Sequence, residues 1–144
     1  MKMDYTLELY RQMFTSLKRG NSCGSVSNAK PVYLMTLIEI IPALKDNLVR
    51  IDNPVLKECY QTNTKLFQRD KKTQLSVPYF HLRTAPFYEI LWRDGKLPAA
   101  TPSAKFLKEH TLGARLDDDL WNLLQEPANR EYLRGCIIKQ YLTD

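Results

Sequence analysis

The sequence predicts a mainly helical α+β domain, with about six helices and a small two- or three-stranded antiparallel sheet in the middle of the chain. Three observations predict it. Apolar residues recur at spacings of three and four through most of the sequence, the period of a helix face. One stretch, residues 77–92, is instead dense in aromatic and branched side chains. Proline and glycine punctuate the 144 residues at element-length intervals, with no internal repeat and no linker, so a single domain is expected. A composition of 44% hydrophobic, 10% aromatic and 26% charged residues is globular, not disordered.

The elements follow in order. Residues 4–19 place Leu7, Tyr10, Met13, Phe14 and Leu17 on one helical face, and Gly20 suits a C-cap. Asn21 to Lys30 reads as a loop. Lys30-Pro31 opens a second helix, because proline in the first turn loses no hydrogen bond. From Val32 to Leu44 this helix is apolar nearly all round, hence central and buried, until Pro42 kinks or stops it. Asn53 caps a third helix that starts at Pro54 and carries Leu56, Cys59, Tyr60, Asn63, Leu66 and Phe67. Val77 to Arg83 and Phe87 to Trp92 read as strands, separated by Pro86 and followed by an Asp94-Gly95 turn. Thr101-Pro102 starts a fourth helix with Phe106 and Leu107 inward and Lys105 and Lys108 outward. Asp117 caps a fifth helix, with Leu116 and Trp121 spaced as a hydrophobic staple. A last helix after Pro127 uses Tyr132, Leu133, Cys136, Ile137 and Tyr141.

Several function classes are excluded or disfavoured. The longest apolar run is broken by Thr36, Glu39 and Pro42, so no membrane span is expected. The N-terminus has no secretory pattern, and Cys23, Cys59 and Cys136 stand as isolated cysteines, which points to the reducing cytoplasm. With only His81 and His110 besides, no zinc set can be written, and neither a metal nor another cofactor is implied. The net charge of +5 is unevenly spread: residues 1–115 carry 18 Lys/Arg against 10 Asp/Glu, and residues 116–144 carry 3 against 6. Lys65, Arg69, Lys71, Lys72 and Arg83 are the densest basic stretch, and such asymmetry suits an anionic partner on one face or a solvated basic surface.

Catalytic constellations are scarce. Neither histidine has a glycine-flanked Ser or Cys near it. Asp94-Gly95-Lys96 matches half of a carboxylate nuclease motif that would hold Mg²⁺ with Asp70 or Glu89, although a turn carries the same residues. Asp117, Asp118 and Asp119 are placed to complement a helix dipole.

Three blocks in order and spacing resemble one known family: Lys30-Pro31 with the long apolar helix, Val77-Pro78-Tyr79-Phe80-His81-Leu82-Arg83, and Ala114 to Leu124 followed by Pro127, Arg130 and Ile137-Ile138-Lys139-Gln140-Tyr141-Leu142. Over about residues 30–142 the chain resembles the sulfur-binding domain of phosphorothioate-dependent HNH restriction endonucleases. The resemblance implies a bacterial restriction context and binding to DNA in which sulfur replaces a non-bridging phosphate oxygen. Sulfur is larger and less hydrated than oxygen, so an apolar cup favours it. By the resemblance, Val77, Pro78 and His81 would line that cup, Lys30 would touch the DNA, and Arg83, Lys105 and Lys108 would add backbone affinity. Relatives commonly have an aromatic residue before the proline, a small residue three after it, and His-Lys-Pro at the buried helix. Here Val77, His81 and Ala29-Lys30-Pro31 stand at those places. The chain reaches Asp144 without the family's HNH module, so a non-catalytic module with a possible nuclease partner is expected. Two other readings stay open: a Mg²⁺ nuclease using Asp94 and Lys96, and an interaction or regulatory protein whose acidic C-terminal helices bind a partner. The oligomeric state has no sequence signature.

Overall fold

The computed structural model describes residues 2–18, 21–22, 25–26, 28–67, 73–95, 98 and 100–142. Gly20, Cys23, Arg69, Lys71, Lys72 and Lys96, all singled out above, lie outside the described residues. The described residues form seven α-helices and a two-stranded antiparallel sheet, with a two-residue ribbon between Asn21–Ser22 (β1) and Ser25–Val26 (β2). The expected fold class holds.

Helix α2 (Ala29–Ile40) is the hub. Ten of its twelve residues are buried, as a sequence apolar on every face demands. It packs against α3 (Pro54–Phe67), α4 (Ser76–His81) and α7 (Pro127–Ile137). A 3₁₀ turn, Ile41–Ala43, ends it at Pro42. Asn53 caps α3 as expected, its Oδ1 accepting the Val55 and Leu56 N–H groups at 2.9 and 3.2 Å.

Two expectations are corrected. Val77 to Arg83 is not a strand: it forms α4 and the 3₁₀ turn Leu82–Thr84. Pro78 is the third helical residue, where its missing N–H has no intrahelical carbonyl to find, so it permits the helix that its aromatic neighbours disguise. The Asp94-Gly95 turn does not close a tight hairpin either. Strand β3 (Tyr88–Trp92) pairs with β4 (Thr111–Leu116), and helix α5 (Ala104–His110) lies in the connection. Tyr88 stands opposite Leu116 and Ile90 opposite Ala114. Val49 adds an isolated bridge to Ala114, with both N–H···O bonds at 2.8 Å. Gly113 has φ +150°, and a Cβ there would come within 2.8 Å of Leu48 Cδ1.

Buried tyrosines tie the sheet to the helices. Tyr88 OH donates to the Tyr79 carbonyl at 2.6 Å and lies 3.0 Å from Tyr33 OH. Tyr79 OH donates to the Val49 carbonyl at 2.9 Å. Every one of these hydroxyls is partnered, as burial requires. Toward the end of α2, Glu39 accepts from Asn63 (2.7 Å), Arg134 (2.6 Å) and Cys59 (3.2 Å), joining α2, α3 and α7. Burial raises the Glu39 pKa, but the bonds from Asn63, Arg134 and Cys59 together hold it below the ordinary value. Burial and the Glu39 carboxylate push the Cys59 thiol up to about 12, so it is a poor nucleophile.

The N-terminal helix α1 (Lys2–Phe14) stops earlier than its apolar period suggests. Tyr141, in the π-helical turn Ile138–Leu142, accepts the Leu17 N–H at 2.9 Å and donates to the Phe14 carbonyl at 2.7 Å. Helix α5 is capped by Ser103, which accepts the Phe106 N–H at 3.1 Å, and so begins just after the expected Thr101-Pro102 start. Asp117 occupies the N-cap position of α6 (Asp118–Leu123) without a side-chain capping bond, because its carboxylate accepts the Tyr10 hydroxyl at 3.1 Å. No helix among the described residues is long and apolar enough to cross a membrane.

Candidate nucleic-acid interface

Three elements bring cations together. Lys30 leaves the first turn of α2, Lys18 follows α1, and Arg83 sits in the 3₁₀ turn after α4. The Lys30 ammonium donates to the Lys18 carbonyl at 2.5 Å and to Thr84 Oγ1 at 3.2 Å, while Thr84 donates to the His81 carbonyl at 3.1 Å. Burial, and then the charges of Arg83 and Lys18, lower the Lys30 pKa below the ordinary lysine value. Among the described residues no carboxylate pairs with Lys18, Lys30 or Arg83. Neutral oxygens hold the Lys30 ammonium, and among the described residues no carboxylate offsets the charge of the three cations.

Arg83 lies over the Phe80 ring, its Cζ 3.8 Å from the centroid, a cation–π arrangement that holds the guanidinium while leaving its donors outward. Phe80 is itself buried beside Trp92. His81 is half-buried, with Nε2 2.7 Å from Thr101 Oγ1. Burial, Arg83 and Lys30 lower its pKa, so the free imidazole is neutral at pH 7.

The helical form of residues 76–81 changes the site's geometry. Val77 and His81 are now one turn apart on the same side, with Pro78 next to Val77; a strand would have turned Pro78 to the opposite face. Val77 is half-buried and Pro78 is buried, so Pro78 lies under the surface and not at an open mouth. Lys105 and Lys108 are exposed on α5. Lys108 lies 3.9 Å from Asp52, and the link from α5 to the cation group runs through Thr101 and His81. The structure therefore gathers Lys30, Val77, Pro78, His81 and Arg83 and leaves Lys105 and Lys108 peripheral. Sequence reasoning missed Lys18, Phe80 as an arginine platform, Thr84 and Thr101; for Lys18 the available signal was its place just after Leu17, the last apolar residue of the N-terminal pattern. Asp94, half of the alternative nuclease motif, is engaged by His110 Nδ1 at 3.1 Å.

A cleft of about 490 Å³ on the other side of Pro86 has the opposite character. Glu89, Asp117, Asp118 and Asp119 line it, and Arg115 pairs with Asp118 at 2.7 Å and Glu89 at 3.5 Å. Among the described residues, this carboxylate cleft and the cation group thus occupy different parts of the surface.

No protein-family model matches the sequence, and no curated protein does. Solved structures do match. The sulfur binding domain of SprMcrA, complexed with phosphorothioated DNA, aligns at TM-score 0.69 and 12% identity, over 95% of this chain and 86% of that one. The corresponding domain of ScoMcrA, also complexed with phosphorothioated DNA, gives TM-score 0.67 and 14% identity, over 92% and 86%. This chain shares the sulfur-binding-domain fold. The resemblance carried by the three sequence blocks is therefore real at the level of architecture.

Proposed function

We propose that this chain is a DNA-binding module that docks on the sugar–phosphate backbone through Lys18, Lys30 and Arg83. The observation that carries the proposal is their convergence with no carboxylate paired to them among the described residues. Burial first, and then repulsion from Arg83 and Lys18, lower the Lys30 pKa; a phosphate offsets that repulsion and finds donors already positioned by the Lys18 carbonyl, Thr84 and the Phe80 ring. The fold neighbours bind phosphorothioated DNA, which supports the same ligand class here.

Phosphorothioate is the proposed preferred form. His81 lies beside the cations with Val77 one turn away and Pro78 buried next to it, and an imidazole kept neutral by burial and nearby cations holds water less tightly than a charged group, which suits the less hydrated sulfur. Lys105 and Lys108 add outer backbone contacts. In this reading cleavage belongs to a separate nuclease module, and the protein works in the cytoplasm.

Fluorescence anisotropy on two otherwise identical duplexes, with and without one phosphorothioate, tests the proposal. The expected result is binding to both that weakens steeply with salt, and tighter binding to the sulfur-bearing duplex. Equal binding to both would remove the sulfur preference and keep backbone docking. No binding to either at low salt would refute the function.

A further inference from the structure

The cation group borders an open groove of about 220 Å³ between the end of α1 and the Leu82–Pro86 segment. Its floor is apolar. Met13, Leu17 and Ala85 are half-buried against the core, Leu82 is fully buried, and Pro86 is exposed. Its rim carries Lys18 and Lys30, with the Thr84 hydroxyl bonded to Lys30. Resting on the backbone docking proposed above, we infer that this groove seats the deoxyribose adjoining the clamped phosphate, so that one sugar–phosphate unit of a DNA strand covers floor and rim together.

Charge and shape select this occupant. A free inorganic anion uses the rim and leaves the floor bare. An apolar peptide covers the floor and leaves Lys18, Lys30 and Arg83 uncompensated. A sugar–phosphate unit has an anion and a ring with apolar C–H faces, joined by one bond, which is the pairing the groove presents. Its volume is below the roughly 300–1,000 Å³ of ordinary small-molecule pockets, so a single sugar fits better than a whole nucleotide. The groove's surroundings also set a direction. Pro86 lines both this groove and the carboxylate cleft of Glu89 and Asp117 to Asp119. An anionic strand is repelled on that side, so it leaves the groove toward Arg83, His81 and Thr101.

Filling the groove from its two walls tests the inference. Ala85 has φ −80° and ψ 142°, extended backbone that leucine accepts, and its N–H bond to the Leu82 carbonyl is retained in Ala85→Leu. Ser16→Leu narrows the groove from the α1 side at an exposed position, where the fold tolerates it. Both variants keep every cation. Each is expected to weaken duplex binding by about tenfold while leaving the slope of affinity against salt unchanged, since no phosphate contact is lost. Affinity within about twofold of the unaltered chain in both folded variants would overturn the sugar seat and leave backbone docking standing. Failure of the unaltered chain to bind any duplex would instead overturn docking itself and the seat with it. A competition arm uses deoxyadenosine monophosphate: failure to displace the duplex supports a strand as the occupant, and displacement that Ala85→Leu abolishes would assign the groove to a free nucleotide.

Discussion

Replacing Lys30 with methionine separates binding from folding in one variant. Methionine keeps an unbranched apolar stem and deletes the ammonium, together with its bonds to the Lys18 carbonyl and Thr84 Oγ1. Each phosphate neutralised contributes about −0.9 to the slope of log K against log salt, so losing one contact makes the slope shallower by about 0.9. Between about 50 mM and about 200 mM salt this changes the ratio of the two affinities roughly 3.5-fold. A half-exposed charge-assisted bond is worth about 1.4 kcal/mol, so the deficit is about tenfold at the lower salt and about threefold at the higher. Stability moves differently. Burial, Arg83 and Lys18 lower the folded-state Lys30 pKa below 10.5, so the folded chain carries this charge less readily than the unfolded one. That penalty is fully present at neutral pH and vanishes as pH rises through the lowered value toward 10.5. Removing the charge offsets the loss of the two bonds, and the melting temperature shifts by less than about 4 °C. Anisotropy across a salt series, paired with thermal melts, reads both quantities. An unchanged salt slope refutes the phosphate contact, and collapse of the melting temperature makes Lys30 a structural residue.

His81→Gln is expected to remove a pH dependence of binding. Burial, Arg83 and Lys30 lower the His81 pKa below 6.5, and a bound phosphate reverses the local charge, so affinity rises as pH falls through the pKa of the complex. The free protein behaves oppositely, losing this group's stability as pH drops below 6.5; an NMR titration with and without duplex checks both signs. Arg134→Ala leaves Glu39 without its 2.6 Å partner and should cost about 1–2 kcal/mol in urea unfolding. Glu39, held below 4.5, contributes stability present above that pH and lost as pH falls through its folded value, so the acid limb of stability flattens in this variant. Gly113→Ala puts a Cβ 2.8 Å from Leu48 Cδ1 at φ +150° and should cost more than about 1 kcal/mol, again by urea unfolding.

The helices were legible in the sequence because their signals agree with one another. Asn53 caps α3, Pro42 ends α2, and the apolar face of α7 runs into Tyr141. Residues 77–83 were misread because valine and aromatic residues favour strands, and only the tolerance of a first helical turn for Pro78 argues otherwise. Strand β4 gave no clear signal: Gly113 and Ala114 fill two of its four buried positions, where the closeness of Leu48 and Val49 leaves no room for large side chains. At the candidate site, Lys30, His81 and Arg83 stood out through the family resemblance. Lys18 did not, since its place beside Lys30 depends on the path of α1 across the domain, which no local pattern encodes.

That path is set from far along the chain. Tyr141 holds both the Leu17 N–H and the Phe14 carbonyl, so one phenol near the far end of the described chain fixes the backbone that carries Lys18. Trimming the last turn would do more than shorten the chain: it would release the wall that carries Lys18 and Leu17 at the proposed docking site. A boundary drawn for expression therefore has to lie beyond Tyr141, or the proposed docking site loses the wall that presents Lys18.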